Sequence, residues 1–231
     1  MRLSYLNLLK TSDLTVDSEN ANYPISNVFH SWKKKTFRSE NTSCSITSIL
    51  DELSDITSVC LAYHNLSSCL VKFYDSLNTL LDTWTLDCTK ETEAQYGSVS
   101  GVYKIIFECS SSSEVEIGVL FAGDSIYAGI ESNQGIPLSS TDNPIASSDR
   151  QISGRKGSIT RSASVTIPLL TGQERKEIEA SFYECGLITP FFLDLWDSSH
   201  EYFEPIYCVY TGFSSTHGTY DEVTIDIQEV N

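Results

Sequence analysis

Apolar residues recur at every second position through most of this chain. In "EVEIGVLF" the residues Val115, Ile117, Val119 and Phe121 fall on one face, the pattern of a strand with one face buried. "SITRSASVTIP" places Ile159, Ala163, Val165 and Ile167 together, with Arg161 interrupting that face, and "EVTIDIQEV" does the same with Val223, Ile225 and Ile227. Further strands are predicted at "SVCLAYH", "CLVKFYD", "GVYKIIFEC", "PFFLDLW" and "PIYCVYTGF", separated by clusters of Ser, Asn, Asp and Gly that favour turns. The fold class is mainly β.

One segment breaks this rhythm. "TGQERKEIEASFYECG" puts Thr171 three residues before Glu174, the spacing of a capping box, and Gly186 marks the end of the helix it predicts. Ile178, Phe182 and Cys185 form a narrow apolar stripe that can lie on a sheet. Between this region and the first strands, "GIESNQGIPLSSTDNPIASSDRQISGRKG" has little periodicity and reads as a long loop or arm. Three parts are therefore expected: a β-sandwich over residues 1–124, a connecting arm over 125–157, and a small α+β unit over 158–231 with one helix on a sheet.

Charge narrows the partners. The formal net charge is −16, which opposes the positive field that phosphate neutralisation needs, so nucleic acid is not an expected partner. The asymmetry is local: Arg150, Arg155, Lys156, Arg161, Arg175 and Lys176 lie in a stretch that is followed by 177–231, where there is no Lys or Arg. Solvated loops and faces account for this. Complementary surfaces meeting between copies account for it too, and make Arg150, Arg155, Lys156 and Arg161 candidate subunit contacts. A second basic cluster, Lys33, Lys34 and Lys35, sits between Trp32 and Arg38. Its bland reading is a loop whose aromatics close one end of a sandwich while its lysines stay in water. The sharper reading is a partner- or glycan-contact loop of Trp32, Lys33, Lys34, Lys35 and Arg38, with Asn65 nearby.

Catalytic signatures are missing from the sequence. There is no G-x-S-x-G, H-E-x-x-H, P-loop or dinucleotide fingerprint, and His30, His64, His200 and His217 are scattered. The seven cysteines show neither C-x-x-C pairing nor zinc spacing, and read as free thiols serving as small core residues. No D-x-D-x-D-G loop for calcium occurs. No apolar run approaches the ~20 residues of a spanning helix, and the first residues lack the apolar core of a signal peptide. No enzymatic activity, cofactor, metal or membrane insertion is expected, and the site of synthesis is expected to be a cytosol.

Several stretches taken together resemble a known family. These are "ANYPISNVFHSWKKKTFRS", the "HNLS" at residues 64–67, "EIGVLFAG" at 116–123, and "VTIPLLTGQERKEIEASFYECGLITPFFLDLWD". They are similar to elements of tailed-bacteriophage tail-tip or baseplate (minor tail) proteins that carry an N-terminal discoidin-like, galactose-binding-like β-sandwich. Pro24, Asn27, Val28, Phe37, Arg38, Ser39, His64, Asn65, Leu66 and Ser67 match the family elements, with Phe37 where the family has Trp and Val119 where it tends to Arg. The resemblance implies a jelly-roll sandwich and a structural role in the virion tail, assembled in the host cytoplasm. The partners it implies are copies of the chain in a ring and other tail proteins. A carbohydrate-binding module for a host surface glycan is the alternative, with Tyr23, Asn27, Trp32 and Asn65 as available contacts.

Overall fold

Two strands of this protein are too long to run straight. The computed structural model describes residues 1–30, 35–128, 138–140, 143–146, 152–155, 159–168, 170–195, 204–216 and 222–230, with the backbone alone for 138–140, 143–146, 152–155 and 159. Its strands are β1 (Arg2–Ser4), β2 (Asp13–Val16), β3 (Phe37–Arg38), β4 (Ser43–His64), β5 (Leu66–Tyr74), β6 (Leu80–Leu86), β7 (Thr92–Ser111) and β8 (Glu116–Gly123). There follow β9 (Ile126–Tyr127), β10 (Leu138–Ser140), β11 (Asn143–Ala146), β12 (Ile152–Arg155) and β13 (Ile159–Ile167). The helix α1 (Gly172–Cys185) and strands β14 (Phe191–Asp194), β15 (Ile206–Thr216) and β16 (Glu222–Glu229) complete the chain.

β4 has 22 residues and β7 has 20; an extended strand of the first length would reach about 70 Å. Both bend instead. Register shifts between Ile49 and Ser58 mark the corner in β4, where Asp51, Glu52 and Leu53 are exposed. Gly101 turns β7 at φ +71, a left-handed value that a side chain disfavours, and its N–H bonds Asp55 Oδ1 at 3.2 Å. Residues 43–49 of β4 pair with β2 and the end of β7, whereas 58–62 pair with the start of β7 and with β8. One sheet, ordered β3-β8-β4-β7-β5-β6 with β2 on β4, thus folds over itself into two layers. Ile46 and Leu50 from before the corner share a core with Ile56, Val59 and Leu61 from after it, filled out by Val71, Phe73, Phe107, Ile117 and Leu120. Burying each such side chain contributes about 1.5–3 kcal/mol.

The second sheet has the order β10-β13-β16-β15-β14-β1-β9. The helix forms as the sequence predicts: the Thr171 hydroxyl accepts from Glu174 N, and the Glu174 carboxylate accepts from Thr171 N at 2.8 Å. Ile178 and Cys185 enter the core of this unit, Phe182 stacks on Phe213 with ring centroids 4.6 Å apart, and Ser181 bonds the Tyr210 hydroxyl at 2.8 Å. Among the described residues the molecule is mainly β, with two seven-stranded sheets, a two-stranded hairpin and one α-helix.

Three sequence expectations differ from this structure. The first strand leaves the sandwich: β1 pairs with β14 and β9, with Leu3 fully buried opposite Leu193 and Ile126. A partner about 190 positions away leaves no trace in a local pattern. The span 125–157, read as a connecting arm, contains β9 and β10 in the second sheet and a β11–β12 hairpin. Third, β8 is buried on both faces rather than one. Ile117, Leu120 and Ala122 face the sandwich core, and Val119 and Phe121 meet Phe192 and Tyr207 of the second sheet, together with Cys60 and Ala62 of β4.

Candidate functional site

Two of the residues singled out in the sequence, Arg38 and Asn65, meet at one end of the sandwich around Glu116, the first residue of the "EIGVLFAG" element. Pro24 opens a short 3-10 turn over Ile25–Phe29, and the buried Asn27 amide donates to Thr36 O at 2.9 Å, which fixes the following segment. Glu116 Oε1 then accepts from the Thr36 hydroxyl at 2.7 Å and from Arg38 Nη2 at 3.2 Å. The Arg38 guanidinium also lies 4.4 Å from the Tyr23 ring centroid. Asn65 Oδ1 accepts from Glu116 N at 2.8 Å, and Asn65 Nδ2 donates to Glu114 O and to Ser113 Oγ.

Arg38 and Asn65 are therefore brought together, but as scaffold: the guanidinium is paired and stacked, and the amide uses both its ends. Lys35 Nζ donates to His30 Nε2 at 2.7 Å. Trp32, Lys33 and Lys34 lie outside the described residues. Of the other candidate contacts, Arg150 and Lys156 also lie outside them, and for Arg155 only the backbone, on β12, is described. Arg161 is held within the chain, its Nη2 at 2.6 Å and Nε at 3.0 Å from Glu229 Oε1. Basic segment and acidic C-terminal stretch meet here inside one molecule.

A different surface gathers polar side chains from three neighbouring strands. On the outer face of the sandwich, Ser43, Ser110 and Ser68 are cross-strand partners in one row, and Ser45, Glu108 and Leu70 in the next. Side chains opposite one another or two apart share a face. These six residues, with Asp17 at the side and with Cys44 and Cys109 between them, line an open groove of about 480 Å³. Ser68 Oγ and Ser110 Oγ are 2.7 Å apart, Asp17 Oδ1 accepts from Ser45 N at 2.9 Å, and Lys72 Nζ donates to Glu108 Oε1 at 2.6 Å. The groove offers hydroxyls that both donate and accept, two carboxylates and one apolar side chain. The sequence carried a signal for it in "SCSI", "SSCL" and "ECSS", where serines alternate with cysteines. Only the strand register reveals that the three segments are neighbours.

Among the described residues no three His, Cys, Asp or Glu side chains are placed to hold a metal. Of the two described histidines, His30 meets Lys35, and His64 accepts from Leu66 N through Nδ1 while its Nε2 is buried without a partner. Burial holds the His64 imidazole below its usual pKa. Glu93 is pushed up to about 7, first by burial and then by Asp87.

No family model and no curated protein matches this chain. Among solved structures it is similar to chitosan-binding module 1 of a chitosanase/glucanase from Paenibacillus sp. IK-5, at 12% identity and a TM-score of 0.44 over 51% of this chain and 98% of that one. A Streptococcus pneumoniae fucose binding module is similar at 12% identity and TM-score 0.45, over 52% of this chain and 95% of that one. A Clostridium perfringens module solved with GalNAc-beta-1,3-galactose is similar at 10% and 0.44, over 52% of this chain and 100% of that one. None of these comparisons links the chain to tail proteins. The two-layer architecture described above rests on the strand pairing itself.

Proposed function

We propose that this protein is a non-catalytic binding module whose sandwich presents the serine-floored groove to a glycan. The observation that carries the reading is the alignment of Ser43, Ser110 and Ser68 beside Ser45 and Glu108, with Asp17 on the flank. A sugar presents vicinal hydroxyls, each a donor and an acceptor, and a ladder of serines with flanking carboxylates answers both functions. Leu70 supplies an apolar patch for the C–H face of a ring. With two carboxylates at the site and a net charge of −16, neutral sugars or cationic amino sugars fit, and sulfated or sialylated chains are repelled.

Retention on a panel of immobilised glycans tests this. The full chain is expected to hold a neutral or amino-sugar ligand, and Ser68→Leu or Ser110→Leu, both on the outer face, to weaken it at least about tenfold, the equivalent of one lost polar anchor. Undiminished retention by both variants, or no glycan retained at all, overturns the reading.

A second reading is a structural component of a virion tail that docks copies of itself and other tail proteins. Besides the sequence resemblance, one observation favours it: Tyr183, Leu187 and Ile188, at the end of α1 and in the turn beyond it, are 83%, 56% and 85% exposed. Apolar side chains so displayed suit a protein partner. Mass photometry tests self-association: a ring-sized species lost on Ile188→Glu supports the reading, and a monomer at every concentration counts against it.

A further inference from the structure

Beneath the serines of the groove, on the core side of the same strands, lies a row of three thiols. Cys44 of β4 is the direct partner of Cys109 of β7, and Cys109 is the direct partner of Cys69 of β5. All seven cysteines are free thiols. Cys109 Sγ donates to Cys69 Sγ at 3.8 Å, and Cys44 faces Cys109 from the strand on its other side.

We propose that these three residues form an oxidation site, a thiol ladder in which a peroxide closes one cross-strand disulfide centred on Cys109. Directly opposed residues of antiparallel strands have Cα atoms about 4.5–5.5 Å apart, inside the range of about 4.4–6.8 Å that a disulfide spans. Closure therefore needs side-chain rotation and little backbone movement. Because Cys109 is shared, only one of the two bonds can exist at a time, and one thiol of the three stays reduced.

The three sulfurs are unequal. Cys44 is 5% exposed, against 3% for Cys109 and 0% for Cys69. Cys44, the least covered of the three and a lining residue of the groove, is thus the first nucleophile that a peroxide reaches. Its thiolate attacks one peroxide oxygen, the O–O bond breaks, and hydroxide leaves to take up a proton as water, which makes Cys44 a sulfenic acid. Cys109 then attacks the Cys44 sulfur and expels the second oxygen as water. The sum is two thiols and one hydrogen peroxide giving one disulfide and two waters. Cys69 can in turn attack the Cys109 sulfur, releasing Cys44 as the thiolate and moving the bond one strand along.

The full chain is treated with hydrogen peroxide, its remaining thiols are alkylated after unfolding, and non-reduced peptides are identified by mass spectrometry. The expected result is a loss of two titratable thiols, from the seven present, with Cys109 linked to Cys44 or to Cys69 within one chain. Cys44→Ser is expected to slow the reaction at least about tenfold, because the most accessible of the three thiols is gone. Cys69→Ser leaves the Cys44–Cys109 bond in place. Seven alkylated thiols in the treated wild-type chain, or a disulfide that omits Cys109 or joins two chains, overturns the proposal whether or not the variants fold.

Discussion

Phe121 of β8 and Phe192 of β14 meet edge-on with ring centroids 5.9 Å apart, and this contact joins the sandwich to the second sheet. Around it, Tyr207 packs on Phe192 at 4.9 Å, and the Tyr63 hydroxyl donates to Val230 O. The two units share a dry, aromatic seam, so they should unfold together.

Phe192→Ala is expected to cost about 3–5 kcal/mol, the range for removing a buried aromatic ring. In a double-mutant cycle with Phe121→Ala, the coupling should be about 0.5–1.5 kcal/mol, as for other edge-on ring pairs. Urea denaturation followed by tyrosine and tryptophan fluorescence measures both. Additive costs, or two separate transitions in the wild-type chain, would show that the seam is not a shared core.

The seam holds a second strand of connection at the amino end. Asn7 Nδ2 donates to Leu120 O at 2.9 Å and its Oδ1 accepts from Ala122 N at 3.3 Å, while Met1 N donates to Ala128 O at 2.8 Å. The backbone of Leu6 runs so close to Gly123 that a Cβ there would lie 2.1 Å from Leu6 O. Gly123→Ala should therefore push the amino-terminal segment off β8 and weaken β1 in the second sheet. Hydrogen exchange at Leu3 and Ser4 is expected to accelerate in the variant, with the amides of residues 105–109 unchanged. Equal protection in both proteins would refute the close approach.

Glu93 gives stability a pH dependence. Its carboxyl is raised to about 7 by burial, then by Asp87 and more weakly by Glu204, against the lowering influence of Lys90 and of the Lys90 N–H that it accepts at 3.2 Å. A carboxyl whose folded pKa lies above its unfolded value favours folding in its protonated form. That contribution is complete below about 4.5, the ordinary value, and is lost as pH rises through about 7. Wild-type Tm should fall relative to Glu93→Gln across this window, with the two converging at the acid end. A wild-type curve parallel to that of the variant would mean that the carboxyl is not perturbed.

How much of this was legible in the sequence depends on range. The helix was readable to its ends because Thr171, Glu174 and Gly186 act on their immediate neighbours. The strand pattern was readable because alternation is local. What was not readable is where strands meet. Val119 and Phe121 look like one more half-buried face until Phe192 covers them. Nothing near Ser43 indicates that Ser68 and Ser110 lie alongside. The end cluster was half legible: Arg38 and Asn65 stood out as contacts and Glu116 as part of the "EIGVLFAG" element, but nothing local showed that the acid organises the other two.

The role of that end cluster can be separated from the role of the groove. The Asn65 amide is saturated by Glu116 N, Glu114 O and Ser113 Oγ, and its backbone carbonyl accepts from Ser111 Oγ at 2.7 Å. An amide so engaged is a turn-holding group, and Asn65→Ala should lower stability by about 0.5–1.5 kcal/mol through its lost hydrogen bonds. Glycan retention by the folded fraction should be unchanged, because the groove residues keep their partners. Ser68→Leu should do the reverse, weakening retention at least about tenfold with a stability change of about 0.5 kcal/mol or less, as for an exposed site. Were Asn65→Ala to abolish retention at full stability, the sandwich end, and not its outer face, would be the binding surface.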